Sequence, residues 1–173
     1  MSKKRILFVI LLLWASSIFY FSSQPYEEQN LQPFLGKYLE DNTSLENMLS
    51  WIVFSYAGHE VSVQSQGLAG FLEFFIRKAA HLSIFFVFGF LAVAALRYFT
   101  KRRIFSFGVP LLCVLIYACF DEIHQHFTGG RTPLWQDVVI DTIGGLLGIL
   151  FFHWLLRIKT KTSVSSVDRL HSP

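Results

Sequence analysis

Four apolar runs, at 6–21, 79–96, 104–120 and 138–156, are separated along the chain by polar or short connecting segments. Each is close to the roughly 17–25 residues that carry a helix across a hydrocarbon core. The pattern predicts an all-α integral membrane fold, a four-transmembrane-helix bundle with spans of about 6–22, 79–99, 104–124 and 137–156. The links "TKRRIF" and "TGGRTP" are short, which makes spans two and three, and spans three and four, neighbours. Gly129 and Gly130 stop the third helix, Thr132 is placed to cap the fourth, and Pro133 suits its first turn. The first run follows the basic "MSKKR", which also fits the start of a secretory signal peptide. Its apolar continuation through Ile18, Phe19, Tyr20 and Phe21 favours a span with an aromatic interface anchor.

Between the first two runs, Thr43-Ser44-Leu45-Glu46 fits a capping box, and Leu45, Met48, Leu49 and Ile52 follow at helical spacing up to a stop at Gly58. This predicts a short amphipathic helix in the first outside loop, lying on the membrane surface or capping the bundle. The membrane domain then covers 1–161, and the polar segment 162–173 is expected to be a disordered cytoplasmic tail.

Composition agrees: the 173 residues are 53% hydrophobic and 17% aromatic, with mean hydropathy +0.45, high for a soluble fold. Charge adds an orientation. Eleven of the fifteen Lys and Arg residues fall at the N-terminus, at 97–103 and after 156, against Lys37, Arg77, Lys78 and Arg131 on the other side. Basic residues are retained in cytoplasmic loops, so both termini of this multi-pass protein of the cell membrane are expected in the cytoplasm. The net charge of +3 reflects those inward loops and gives no case for nucleic acid. Cys113 and Cys119 are six apart on one span, about 9 Å along a helix, too far to pair.

The candidate chemistry lies at the outward helix ends. On a helix, Asp121 shares a face with His124 and Gln125, and Glu122 with Gln125 and His126. Arg77 and His81 are four apart at the outer start of span two, as are Asp137 and Asp141 in span four, where Gly144, Gly145 and Gly148 continue the face inward. Gly144-x-x-x-Gly148 permits close helix approach, which turns the aspartates into the bundle. An ionisable group such as Asp141 inside an apolar run normally pairs or serves a site. Two readings follow: an ion-pair network that locks the helices, or an outward-facing polar pocket in which Arg77, Lys78 and Arg131 suit a phosphate and the carboxylates an amine, hydroxyl or proton. The pocket fits a lipid headgroup or lipid-linked envelope precursor. Acid–base chemistry by His81, Asp121, His124 or Asp141 stays open, so the chain could instead be a membrane-embedded enzyme acting on a phosphorylated lipid. No metal or cofactor is expected, since His124 and His126 are two apart and diverge, "HEVSVQ" lacks a second histidine, and no nucleophile elbow or phosphate-binding loop appears.

The segments "FSSQ", "FIRKAAHLSIFFVFGFL" and "DEIHQHFTGGRTPLWQDVVIDTIGGLLG" together resemble the VanZ-like family of bacterial membrane proteins, across all four spans. The resemblance implies an envelope-related role, the founding member being associated with resistance to the glycopeptide teicoplanin. It carries over Arg77, Lys78 and His81 from "RKAAH", Asp121, Glu122 and Gln125 from "DEIHQ", Arg131 from "GR", and Asp137 and Asp141 from "DVVID". The family pattern leads to an expectation of Asn at 141, where this chain has Asp; His59 and His126 stand outside the pattern.

Overall fold

The computed structural model describes residues 2–39, 42–99, 103–129 and 133–170, with side chains except at 103–104, 129 and 160–170. Four helices are long and apolar enough to cross a membrane: α1 (Lys3–Ser22), α4 (Val63–Leu96), α5 (Arg103–Gly129) and α6 (Trp135–Leu170). Between α1 and α4 lie a 3₁₀ turn (Tyr26–Gln29), α2 (Gln32–Leu39), α3 (Thr43–Leu49) and an antiparallel hairpin of β1 (Phe54–Tyr56) and β2 (His59–Val61). The fold is the expected all-α membrane bundle with a small cap at one end.

Lipid supplies no hydrophobic drive to bring helices together, so association relies on close packing and on polar bonds. Both are visible. A Cβ on Gly144 would stand 2.3 Å from the Leu82 carbonyl oxygen, and one on Gly148 2.0 Å from that of Phe86. On the facing side, a Cβ on Gly89 would meet the Gly145 carbonyl oxygen at 2.1 Å. α4 and α6 therefore touch backbone to backbone, while Val114 of α5 closes over Gly145. Phe85, Phe88, Val93, Val114, Ala118, Ile149 and Phe152 fill the core around this contact. α1 is peripheral, held by Trp14 Nε1 donating to the Ile84 carbonyl at 3.0 Å and by Tyr117 OH donating to that of Ala15 at 2.6 Å. Its outward Phe8, Ile10, Leu12 and Leu13 form a lipid-facing surface.

Three boundaries differ from the sequence expectation. The second helix starts at Val63, about four turns before the apolar run: Ser62 caps it by accepting the Ser65 N–H at 3.0 Å, and Leu68, Phe71, Leu72 and Phe74 pack beneath the cap. Glu73, Arg77 and Lys78 end the apolar run without ending the helix, which kinks at Gly67, where φ is 70°. The cap of α3 is Asn42, whose Oδ1 accepts the Leu45 N–H at 3.1 Å, in place of the expected Thr43–Glu46 box. Gly58 is a hairpin turn, not a helix stop, because Ala57 (φ 53°) and Gly58 (φ 82°) both occupy the left-handed region that a two-residue type I′ connection requires. In the cap, Leu49 and Ile52 turn inward against Val61, Val63 and Phe71, while Met48 and Trp51 turn out, Trp51 remaining 79% exposed. The backbone of α6 is helical to Leu170.

The α4–α6 contact makes a direct test. Gly148→Ala and Gly145→Leu should each lower thermal stability in detergent, by about 1–3 kcal/mol or more where backbones must part. Gly108→Ala, where a Cβ meets nothing within 4 Å, should be neutral. Unfolding curves of the three variants decide it; an unshifted Gly148→Ala would refute the close approach.

Candidate functional site

The alternating helix directions bring the C-terminal ends of α1 and α5 beside the N-terminal ends of α4 and α6, where the polar residues concentrate. On α4 the four-residue spacing sets Glu73, Arg77 and His81 on one stripe, with Lys78 alongside. The last turns of α5 contribute Asp121, Glu122 and Gln125, all buried, and the first turns of α6 contribute Asp137 and Asp141.

The α4–α6 approach sets two carboxylates against two bases. His81 Nδ1 stands 3.2 Å from Asp141 Oδ1, and Lys78 Nζ donates to Asp137 Oδ1 at 2.5 Å. Asp141 is 0% exposed, and its Oδ2 has no hydrogen-bond partner among the described residues. Gln125 Nε2 donates to Asp121 Oδ2 at 2.8 Å, and the Leu134 N–H donates to Glu122 Oε2 at 2.9 Å, which ties the end of α5 to the entry of α6. One ligand atom from each of His81, Asp121 and Asp141 lies within 4.8 Å of the other two, a set from three helices that could hold a metal ion.

The cap completes the site. Tyr56 OH, from the hairpin, donates to Asp137 Oδ1. Glu73, 2% exposed, accepts from Tyr26 OH at 3.3 Å, Gln32 Nε2 at 2.8 Å and the Leu31 N–H at 3.2 Å. Arg77 Nη1 lies 3.9 Å from Glu73 Oε1, within ion-pair range but beyond a hydrogen bond, and is buried with no hydrogen-bond partner among the described residues. Burial, with the Glu73 carboxylate, pushes the Tyr26 phenol above its ordinary range; burial and then the bond to Asp137 do the same for Tyr56. Both phenols therefore remain hydrogen-bond donors at physiological pH.

Between cap and bundle is a cavity of about 670 Å³, lined by Tyr26, Gln32, Tyr56, His59, Glu73, Arg77, Lys78, His81, Glu122, Gln125 and Asp137, among others. A second cavity, about 260 Å³, lies toward α1 and is lined by Ser22, Phe21, Ile84, Phe85 and Asp121. Arg77, His81 and Gln125 border both.

The sequence-derived residues Arg77, Lys78, His81, Asp121, Glu122, Gln125, Asp137 and Asp141 are thus brought together. Arg131 lies outside the described residues. His124 is carried to the α1–α5 contact, where Nδ1 is hydrogen-bonded to Ser22 Oγ at 3.3 Å and the ring packs on Phe19 with centroids 4.1 Å apart; it lines neither cavity. The histidine that converges with carboxylates is His81, not the His124/His126 pair on which the sequence reading weighed metal binding. Sequence reasoning missed Glu73, Tyr26, Gln32 and Tyr56. Glu73 carried a signal, a carboxylate four positions before Arg77 in an apolar stretch, but the cap residues reach the site only through the tertiary fold.

No curated protein and no solved structure matches the chain. The model of the VanZ/LLP1 family matches residues 7–157, from the second turn of α1 to near the end of the membrane-crossing part of α6. With four membrane-crossing helices and most of its length matched, the chain belongs to the VanZ/LLP1 family.

Proposed function

We propose that this membrane protein binds the phosphate-bearing headgroup of a membrane lipid or lipid-linked envelope precursor in its large cavity. The cavity faces outward, both termini are cytoplasmic, and the bound ligand links the protein to teicoplanin-type glycopeptide susceptibility. The observation that carries this reading is Arg77, a partly buried guanidinium bordering both cavities whose buried Nη1 is unmatched by any hydrogen bond among the described residues. The charge of Lys78 is matched by Asp137, while Arg77 Nη1 keeps donor capacity for an anionic oxygen. The volume falls in the range of small-ligand sites, roughly 300–1,000 Å³. The outward orientation rests on the eleven-to-four distribution of Lys and Arg.

A second reading, a membrane enzyme acting on a phosphorylated lipid, draws on the His81–Asp141 contact. With Nδ1 held by a buried carboxylate, Nε2 is the nitrogen that would exchange a proton with a ligand in either cavity.

Reporter fusions after Gln66 and after Thr100 should read outside and inside respectively; the reverse would place the cavity on the cytoplasmic face. Arg77→Gln should weaken binding of a phosphorylated headgroup by roughly 10- to 100-fold, one charge-assisted hydrogen bond being worth about 1.5–3 kcal/mol, with membrane abundance retained. Unchanged affinity in a vesicle-binding assay would sink the headgroup reading. Mass analysis of envelope lipids in a deletion strain separates the two readings: a lipid that accumulates, and is cleared by the wild-type gene but not by His81→Ala, favours the enzyme.

A further inference from the structure

We infer that His81, Asp121 and Asp141 form a binding site for one divalent transition-metal ion of the Zn²⁺ or Mn²⁺ type. The inference concerns the polar floor of the bundle and does not depend on what occupies the cavity above it. Two carboxylates are buried here, Asp121 at 3% and Asp141 at 0% exposure, with ligand atoms within 4.8 Å of each other and of His81. Like charges this close in a low-dielectric surrounding demand compensation. The lysine of this region is taken by Asp137 at 2.5 Å, and Arg77 leans toward Glu73 at 3.9 Å. Asp141 Oδ1 meets His81 Nδ1, and among the described residues Asp141 Oδ2 is left without a hydrogen bond inside the bundle.

A divalent ion meets this demand with charge to match two carboxylates while the imidazole stays neutral. The 3.2 Å between His81 Nδ1 and Asp141 Oδ1 is the spacing of adjacent ligands around such an ion. Metal–ligand bonds of about 2.0–2.2 Å give edges of roughly 3.0–3.4 Å in octahedral or tetrahedral geometry. Ligands opposite each other on an octahedral ion stand about 4.2 Å apart, so small side-chain rotations close the set. One imidazole with two carboxylates selects borderline ions that accept both nitrogen and oxygen. Gln125, donating to Asp121 Oδ2 at 2.8 Å, orients one ligand from outside the set. Because His81 and Asp121 border the cavities, coordination positions not taken by protein would open toward them.

The test uses the full chain, purified in detergent without a polyhistidine tag and stripped with chelator, titrated separately with Zn²⁺ and Mn²⁺ by equilibrium dialysis with elemental analysis. One equivalent of at least one ion per chain is expected. Asp121→Asn and Asp141→Asn should each lower affinity at least tenfold, Gln125→Ala by about 10- to 100-fold, and Glu73→Gln should not change it. Zn-edge absorption of the wild-type complex should show nitrogen and oxygen ligands. No stoichiometric binding of either ion overturns the inference, as does binding that both Asn variants retain, which would mark an adventitious ion only. Should an Asn variant fail to fold, the wild-type spectrum decides: sulfur ligation, from Cys113 or Cys119, excludes this site.

Discussion

The close approach of α4 and α6 is the constraint on which the rest of the molecule depends. Gly144 and Gly148 bring one face of α6 against the Leu82 and Phe86 carbonyls, and Gly89 receives Gly145 in return. Rigid helices in backbone contact have little freedom to slide. The register that seats Gly144 on Leu82 also brings Asp141, three residues earlier, beside His81, and Asp137 beside Lys78. Packing in the apolar half thus positions the charges in the polar half. In lipid this order is physically sensible, because dispersion between close backbones and satisfied polar pairs are the terms available to hold helices together.

The cap acts on the same charges from the other direction. Tyr56 reaches Asp137 from the hairpin, while Tyr26, Gln32 and the Leu31 amide converge on Glu73. Without these donors, the carboxylates at the mouth of the bundle would face Lys78 and Arg77 alone, and Arg77 stands 3.9 Å from its partner. The cap also roofs the large cavity, so one segment both compensates charge and encloses space. Its small apolar cluster, Val61, Val63 and Phe71 with Leu49 and Ile52, fastens it to the N-terminal turns of α4.

A gradient of polarity runs down the bundle. At the cap, Glu73 accepts three hydrogen bonds and Asp137 Oδ1 two; at the floor, Asp141 has His81, and Asp121 has Gln125 and Ser22. Sites for ligands arise where a protein leaves buried polar capacity unspent, and Arg77, Glu122 and Asp141 each keep a buried polar atom without a hydrogen bond among the described residues. Of these, Arg77 borders both cavities and Glu122 the larger one.

Much of this was legible from the chain alone. Spans are read from runs of apolar residues because a bilayer requires length and hydrophobicity, both local properties. The four-residue spacings of Arg77 with His81 and of Asp137 with Asp141, and the glycine face behind them, follow from helix periodicity, which is local as well. Pairing is not local. That His81 meets Asp141 while His124 turns to Phe19 depends on which helices touch and at what rotation, set by the glycine contact and by Trp14 and Tyr117 anchoring α1. The start of α4 was hidden because charged residues end an apolar run without ending a helix. Tyr26, Gln32 and Tyr56 join the site across gaps of forty or more residues. Such contacts exist only once the cap has folded onto the bundle, because the energy that selects them comes from burying charge in company and not from any preference of the residues themselves.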